Sequence, residues 1–471
     1  MTEEGRKMKT KKFICATLSV LLILPMLCCA GEKADEASRP DEPGNTAAPG
    51  ETAGPGGDAY VPDHSYNPET DFDKRLSREF SNCCFIDYGD VLYWYTDHDR
   101  YIRWCEKSGG EWGVLCARPE CEHDGGNAQH VNNECGGHIG LQEPYLWIWE
   151  DKLYYVWTYA PSETSFGKLY RMDPDGTNRE LVRELPPILT EEGEPFYAGT
   201  FYMHRGLIYV STQREEVVDA EPVYRDAVAV CSLTGTEFKT IYTPDYSEHR
   251  FHYINLNFAG DHCYIFDAHG NGTTISRWNA VTGETELLYD GDEMSWIMYG
   301  WITEEGELYA ASMGTESHGC EKVVRLVDGC WEEVLRFEDG EKQWTILTVS
   351  DGVAIARNFI PYDPDDPAGY SERIRDTNID IWVMTYGGET LYKGKLPMDW
   401  MDETDPGATF EHINLVCGDE GGFMMQFELH YRNASRSNEP IVHALLKYDF
   451  TAQGIDCTLL ARNYSKITLE F

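Results

Sequence analysis

The sequence predicts an all-β protein: a β-propeller, most simply of seven four-stranded blades, preceded by an export signal and an unfolded tether. Three observations predict it. A turn-plus-strand unit recurs seven times at intervals of 45 to 69 residues. Each unit is followed by a second hairpin. Each is also preceded by another short apolar run, which makes four strands per repeat.

The recurring unit is a Gly/Asp/Glu turn followed by an aromatic or aliphatic strand. It reads "YGDVLYWYT", "WEDKLYYVWT", "HRGLIYVST", "AGDHCYIFD", "EEGELYAAS", "SDGVAIARN" and "DEGGFMMQF", with Tyr93, Tyr154, Tyr209, Tyr264, Tyr309, Ile355 and Met424 at the matched position. The second hairpins include "KLYRMDPDGTNRELV" and "DIWVMTYGGETLYKG". Their Asp175-Gly176 and Gly387-Gly388 pairs supply the positive φ that tight turns need. Six- and eight-bladed rings stay open as alternatives. A sandwich is disfavoured, because even spacing over seven units is hard to obtain otherwise. The final "SKITLEF" reads as one more strand, able to close the ring against the first blade. The "LYRMDPDGTN" style of hairpin resembles the TolB-like and YWTD-like propeller domains of exported bacterial lipoproteins, over residues 79–471. That resemblance implies the fold and leaves the function open.

The N-terminus reads as an export signal over residues 1–28. Arg6, Lys7, Lys9, Lys11 and Lys12 precede the apolar "FICATLSVLLILPMLCC", a run short for a membrane span and ending in cysteine. This arrangement resembles the lipobox of bacterial lipoproteins, which implies a diacylglyceryl anchor on Cys29, the first residue of the mature chain. An ordinary signal peptide with incidental cysteines is the alternative. Residues 29–78 are an acidic linker. From 31 to 59 they are Gly-, Pro- and Ala-rich and nearly free of large apolar side chains, so they bury too little surface to fold.

The whole chain carries a formal charge of −42. Without the first 28 residues, 34 basic and 79 acidic residues remain, near −45. Such a charge keeps a protein soluble and disfavours nucleic acid and anionic lipid, and no basic patch suits a nucleic-acid reader. Contact with the membrane is expected through the lipid anchor only.

In a four-stranded meander, turns between strands one and two, and three and four, lie on one face of the disc. The other connections lie on the opposite face. The longer segments nearly all belong to the second class: 116–144, 212–226, 358–378, 398–410 and 429–440. They are expected to gather on one face around the central channel, where binding sites tend to sit. On these loops, Tyr362, Asp363, Asp365, Asp366, Tyr370, Trp400 and Tyr431 are the candidate ligand-binding residues. The aromatics could stack on sugars or peptides, and the "DPDDP" carboxylates could meet a hard cation. A solvated acidic loop is the simpler reading of that run, which lacks the full EF-hand pattern.

The most distinctive stretch is "LCARPECEHDGGNAQHVNNEC", where Cys116, Cys121, His123 and Cys135 follow the spacing C-x4-C-x-H-x11-C. Thiolate and imidazole are the ligands that tetrahedral zinc prefers, with His130 or His138 in reserve. The spacing matches no standard finger or ribbon. An extracytoplasmic setting favours a disulfide, Cys116–Cys135 or Cys121–Cys135, over metal ligation. Against it, the twelve cysteines beyond Cys29 are scattered along the folded part of the chain, from Cys83 to Cys457. That scatter suits a reduced exterior better than a disulfide framework. Cys231, Cys263 and Cys417 sit alone in strands and read as small buried hydrophobes.

No nucleophile elbow, H-E-x-x-H helix, P-loop or dinucleotide fingerprint is present. No cofactor is required, zinc being the one candidate. The expected protein is therefore a lipid-anchored surface propeller that binds a protein, a glycan or an envelope component. An extracytoplasmic glycan or peptide hydrolase or lyase using the same face is the alternative. For it, His204, His262 and His318 would have to converge with Tyr, Arg and acids at the channel mouth, and the first two fall at tight turns of the plainer face. A structural subunit of an envelope assembly is the third reading.

Overall fold

The computed structural model describes residues 85–96, 101–123, 135–139, 145–157, 166–190, 193, 195–218, 221–245, 252–269, 272–292, 297–303, 306–313, 320–350, 352–359, 379–404, 408–431 and 440–466. The signal, Cys29 and the linker lie outside them.

Seven antiparallel sheets, each of four consecutive strands, form the propeller. Blade one holds β1 (Phe85–Tyr88), β2 (Val91–Thr96), β3 (Tyr101–Glu106) and β4 (Trp112–Val114). Blade two holds β5 (Tyr145–Trp149), β6 (Lys152–Trp157), β7 (Gly167–Met172) and β8 (Glu180–Leu185). Blade three holds β9 (Tyr197–His204), β10 (Leu207–Val218), β11 (Glu221–Ser232) and β12 (Lys239–Tyr242). Blade four holds β13 (His252–Ala259), β14 (His262–His269), β15 (Gly272–Asn279) and β16 (Thr285–Gly291). Blade five holds β17 (Ile297–Ile302), β18 (Leu308–Met313), β19 (Cys320–Val327) and β20 (Cys330–Arg336). Blade six holds β21 (Gln343–Ser350), β22 (Val353–Phe359), β23 (Asp380–Thr385) and β24 (Thr390–Lys395). A short helix, α1 (Asp399–Thr404), leads to blade seven with β25 (Ala408–Asp419), β26 (Gly422–Tyr431), β27 (Pro440–Thr451) and β28 (Gly454–Lys466).

Burial explains why the repeat was readable. Each of the seven matched residues lies in the second strand of its blade and is buried. A second strand is covered on both faces by neighbouring blades, so it reads as a near-continuous apolar run rather than an alternation. Val353, Ala354, Ile355 and Ala356 are all inaccessible. The fourth strands carry the solvent boundary, and β16 and β20 each bury a single residue. In six blades the pairing of strands three and four slips once near mid-strand, at Leu169/Tyr170, Val228/Ala229, Ile275/Ser276, Val323/Val324, Val383/Met384 and Leu445/Leu446. Such bulges increase local twist and splay the outer edge of the blade. Blade one has no slip, and its β4 is three residues long.

First strands of successive blades touch around the ring, as β1 with β5, β5 with β9, β13 with β17 and β21 with β25. Among the described residues, the sheets of blades one and seven share no strand. The outer strand β28 lies against β3 and β4, and Phe85, Leu92, Trp94 and Cys105 of blade one pack with Met424, Leu445, Leu460 and Ala461 of blade seven. "SKITLEF" is thus not a separate strand where it is described: Ser465 and Lys466 continue β28, and residues 467–471 lie outside the described residues. The segment 212–226 is also more regular than expected. It extends β10 and β11 as a ladder out to Val218 and Glu221, whereas β9 and β12 stop pairing at Gln213 and Val228. A two-stranded arm therefore projects from blade three.

Candidate metal centre

The expected cysteine cluster is built at the outer edge of blade one. After β4 ends at Val114, the Leu115 N–H donates to the Ile102 carbonyl at 2.9 Å. A turn over Arg118–Cys121, with Pro119 at its second position, is closed by the Cys121 N–H to the Arg118 carbonyl at 3.1 Å. The chain returns at Cys135–Ile139 and takes the place beside β3 that a longer β4 would fill. The Ile102 N–H donates to the Gly137 carbonyl at 2.8 Å, and Tyr101 and His138 form an antiparallel bridge. Blade two holds this return leg from the other side. Arg179 donates to the His138 carbonyl at 2.7 Å, and the Gly176 carbonyl lies 2.3 Å from where a Cβ on Gly136 would stand. Only glycine permits that backbone approach.

The Sγ atoms of Cys116, Cys121 and Cys135 and a ring nitrogen of His123 lie within 4.8 Å of one another. Cys135 Sγ and His123 Nδ1 are 3.7 Å apart. A tetrahedral zinc with three thiolates and one imidazole has ligand–ligand edges of about 3.5–3.8 Å, so one edge is already formed. None of these cysteines carries a disulfide in the structure. Both pairings favoured from sequence, Cys116–Cys135 and Cys121–Cys135, involve sulfurs of this same cluster, to which the return leg also brings the His123 imidazole. His138 is instead buried against the Tyr101 ring at 5.0 Å and is not one of the converging donors. His130 lies outside the described residues.

The electrostatics divide the sulfurs. Burial pushes the Cys116 thiol up. The backbone N–H groups of Arg118 and Gly136, with the thiols of Cys135 and Cys121, outweigh that and bring it below its ordinary value. Cys135 is fully buried and is pushed up to about 12, first by burial and then by the charge on Cys116. Four protein donors complete a coordination sphere and leave no position for a reacting water, which is the chemistry of a structural ion. The neighbours are the outer strands β3 and β4 and the β7–β8 turn, so this part of segment 116–144 sits at the rim and not around the central channel.

The other expected site residues fare differently. Tyr362, Asp363, Asp365, Asp366 and Tyr370 lie outside the described residues, as does His318. Tyr431 ends β26, and its side chain is outside what is described. Trp400, expected to be exposed, is buried: α1 lays its ring against Phe427 at 5.6 Å, in the core between blades six and seven. A residue read as a loop aromatic is thus packing. His204 and His262 sit at tight turns, as expected. His204 Nε2 is 2.7 Å from the Gly260 carbonyl, and Arg205 pairs with Asp261 at 2.6 Å, joining blades three and four.

One polar cluster was not anticipated. His252 Nδ1 lies 2.8 Å from an oxygen of Asp267, and Tyr242 donates to the other oxygen at 2.7 Å. His269 stands opposite His252 in the β13–β14 register, its ring 5.8 Å away. His252 and Asp267 are 15 residues apart in a chain with many acids, and the register of β13 with β14, which sets Asp267 opposite Ile254, brings them together diagonally across the hairpin. The hairpin "HYINLNFAGDHCYIFDAH" could have shown it, since equal arms about Gly260-Asp261 place His252 opposite His269.

No family model and no curated protein matches this sequence. Among solved structures, the chain is similar to TolB from Acinetobacter baumannii, at 11% identity and TM-score 0.32, over 64% of this chain and 63% of that one. It is similar to a family PL25 polysaccharide lyase, an ulvan lyase, at 13% identity and TM-score 0.38, over 84% and 96%. It is also similar to prolyl endopeptidases, at 10% identity and TM-score 0.43, over 81% of this chain and 48% of that one. The match spans less than two thirds of the TolB chain and about half of the prolyl endopeptidase. No helix among the described residues is long and apolar enough to cross a membrane.

Proposed function

We propose that the protein is a lipid-anchored, extracytoplasmic interaction module that binds a protein, a glycan or an envelope component through its elaborated face. The observation that carries this reading is the inequality of the two faces. Strands one and two are joined by two residues in six blades, and no connection between strands three and four exceeds the one from Met172 to Glu180. On the opposite face, β4 and β5 are separated by residues 115–144, β22 and β23 by 360–379, and the β10–β11 arm projects from blade three. A rigid ring with variable loops on one side is a general solution for recognition.

Photocrosslinking in cells tests the reading. A photoreactive residue at Gln213, at the base of the arm, should capture a discrete partner, and one at Asp261 on the plain face should not. Equal capture at both, or capture at Asp261 alone, would sink the face assignment. Lipid-precursor labelling tests the anchor: Cys29→Ser should lose the label. Retention in that variant, with loss in Cys28→Ser, would move the cleavage site.

The enzyme reading has one observation in its favour. The His252–Asp267–Tyr242 cluster lies at the elaborated-face end of β13 and β14, the two inner strands of blade four. A carboxylate that orients an imidazole is a general acid–base arrangement. Turnover of a polysaccharide or peptide by the wild type, abolished in His252→Gln with the fold intact, would replace binding by catalysis.

A further inference from the structure

We propose that Cys116, Cys121, His123 and Cys135 bind one zinc-class dication, which latches the blade-one to blade-two connection onto the rim between those blades. The inference is independent of what the elaborated face binds.

Four points on the structure carry it. The donor atoms of three cysteines and a histidine converge within 4.8 Å, although they come from two legs of a connection separated by residues 124–134. The cysteines carry no disulfide, and any single bridge among them would use two sulfurs and leave the third, with His123, without a role. Each leg is also turned by its own backbone: the Cys121 N–H donates to the Arg118 carbonyl at 3.1 Å and the His138 N–H to the Cys135 carbonyl at 3.3 Å, which fixes the chain at both sets of donors. Finally, glycines at 136, 137 and 176 let the return leg, β3, Leu115 and the blade-two turn meet backbone to backbone, so the donors rest on a fixed base.

The chemistry selects the ion. Three thiolates and an imidazole form a soft, tetrahedral set that suits zinc and, in the laboratory, cobalt, and does not suit calcium or magnesium. On binding, each cysteine loses its proton to solvent and the ion exchanges its waters for the four donors, with no redox change. Four protein ligands leave the ion a structural role. It holds a long connection against β3, beyond the end of the three-residue outer strand β4.

The test uses the full chain, without an affinity tag, extracted in mild detergent under nitrogen without chelator. Elemental analysis should give about one equivalent of zinc per chain. Exchange into cobalt should give thiolate-to-cobalt charge-transfer bands and the strong d–d bands of a tetrahedral site. Cys330→Ser, an exposed cysteine far from the cluster, should keep the metal. Cys121→Ser should lower affinity at least tenfold, read by competition with a chromophoric chelator. His123→Cys guards against a variant that merely misfolds: four sulfur donors remain, so the metal should be kept with a shifted cobalt spectrum. Zinc-free wild type that also refuses added zinc would overturn the proposal. So would equal metal in wild type and Cys121→Ser, or a Cys116–Cys135 or Cys121–Cys135 linked peptide in the anaerobically isolated protein.

Discussion

Leu460→Ala probes the way the ring closes. Among the described residues, blades one and seven meet through side-chain packing, and Leu460, 1% exposed, lies in that seam beside Leu92, Trp94 and Leu445. The substitution removes three carbon atoms from a fully buried site. At about 0.8 kcal/mol per buried methylene the transfer loss is about 2.4 kcal/mol. The residual cavity raises the total to about 3 kcal/mol or more, within the usual range for Leu→Ala. Every other pair of neighbouring blades is also linked by the chain itself, so the seam is where a sub-global opening costs least. About 3 kcal/mol corresponds to a roughly 100-fold rise in the open population. Native-state hydrogen exchange read by mass spectrometry should therefore show roughly 100-fold faster exchange in β1–β3 and β27–β28. Leu169→Ala is the control: it makes the same chemical change at a site just as buried, in the core shared by blades two and three. It should not single out blades one and seven. If both variants accelerate the same peptides equally, the seam is not a separate opening unit and the closure argument fails.

Two further outcomes follow from particular side chains. Burial alone would raise the Asp339 carboxyl. The N–H groups of Lys342 and Glu341, the Lys393 ammonium at 2.9 Å and the Trp344 indole N–H at 3.0 Å hold it well below the ordinary range instead. A carboxyl depressed in the folded state contributes stability that is present above its unfolded value, about 3.9, and is lost as pH falls through the folded one. The gap between wild type and Asp339→Asn in urea midpoint should therefore be full at neutral pH and shrink below about pH 4; a gap that widens in acid would contradict the assignment. Gly136→Ala sets a methyl 2.3 Å from the Gly176 carbonyl, so the return leg must move. The cost should be about 1–3 kcal/mol with weakened metal retention, whereas Gly113→Ala, whose nearest neighbour is 3.8 Å away, should leave metal retention unchanged.

The fold was legible because its signal is local and repeated. Tyr93, Tyr154, Tyr209, Tyr264, Tyr309, Ile355 and Met424 each follow a tight turn, and each is buried between two neighbouring blades, so the same composition recurs wherever the same environment does. The candidate metal site was half legible. Residue types and spacing nominated Cys116, Cys121, His123 and Cys135. Their convergence depends on Gly137 pairing with Ile102 and on the blade-two turn pressing on Gly136, contacts across tens of residues that no local pattern encodes. Trp400 shows the opposite error. A tryptophan in a polar connection looked exposed, but six residues of helix turn it into the blade-seven core. The segment 212–226 misled for a third reason. Its charged side chains read as loop, whereas a two-stranded arm can keep its backbone hydrogen bonds while both faces stay polar.

Because every blade is made of four strands consecutive in sequence, no strand must wait for a partner from the far end of the chain. All-β folds are usually slow to form, since their pairings enclose long stretches of disordered chain. Here each ladder closes over a few tens of residues, and the long-range contact that spans the ring is the seam between blades seven and one. The order of synthesis is thus also an order in which blades can complete their ladders. Until blade seven arrives, the flank of blade one formed by Leu92, Trp94 and Cys105 stands uncovered, a sticky surface whose exposure time is set by how fast the other six blades form.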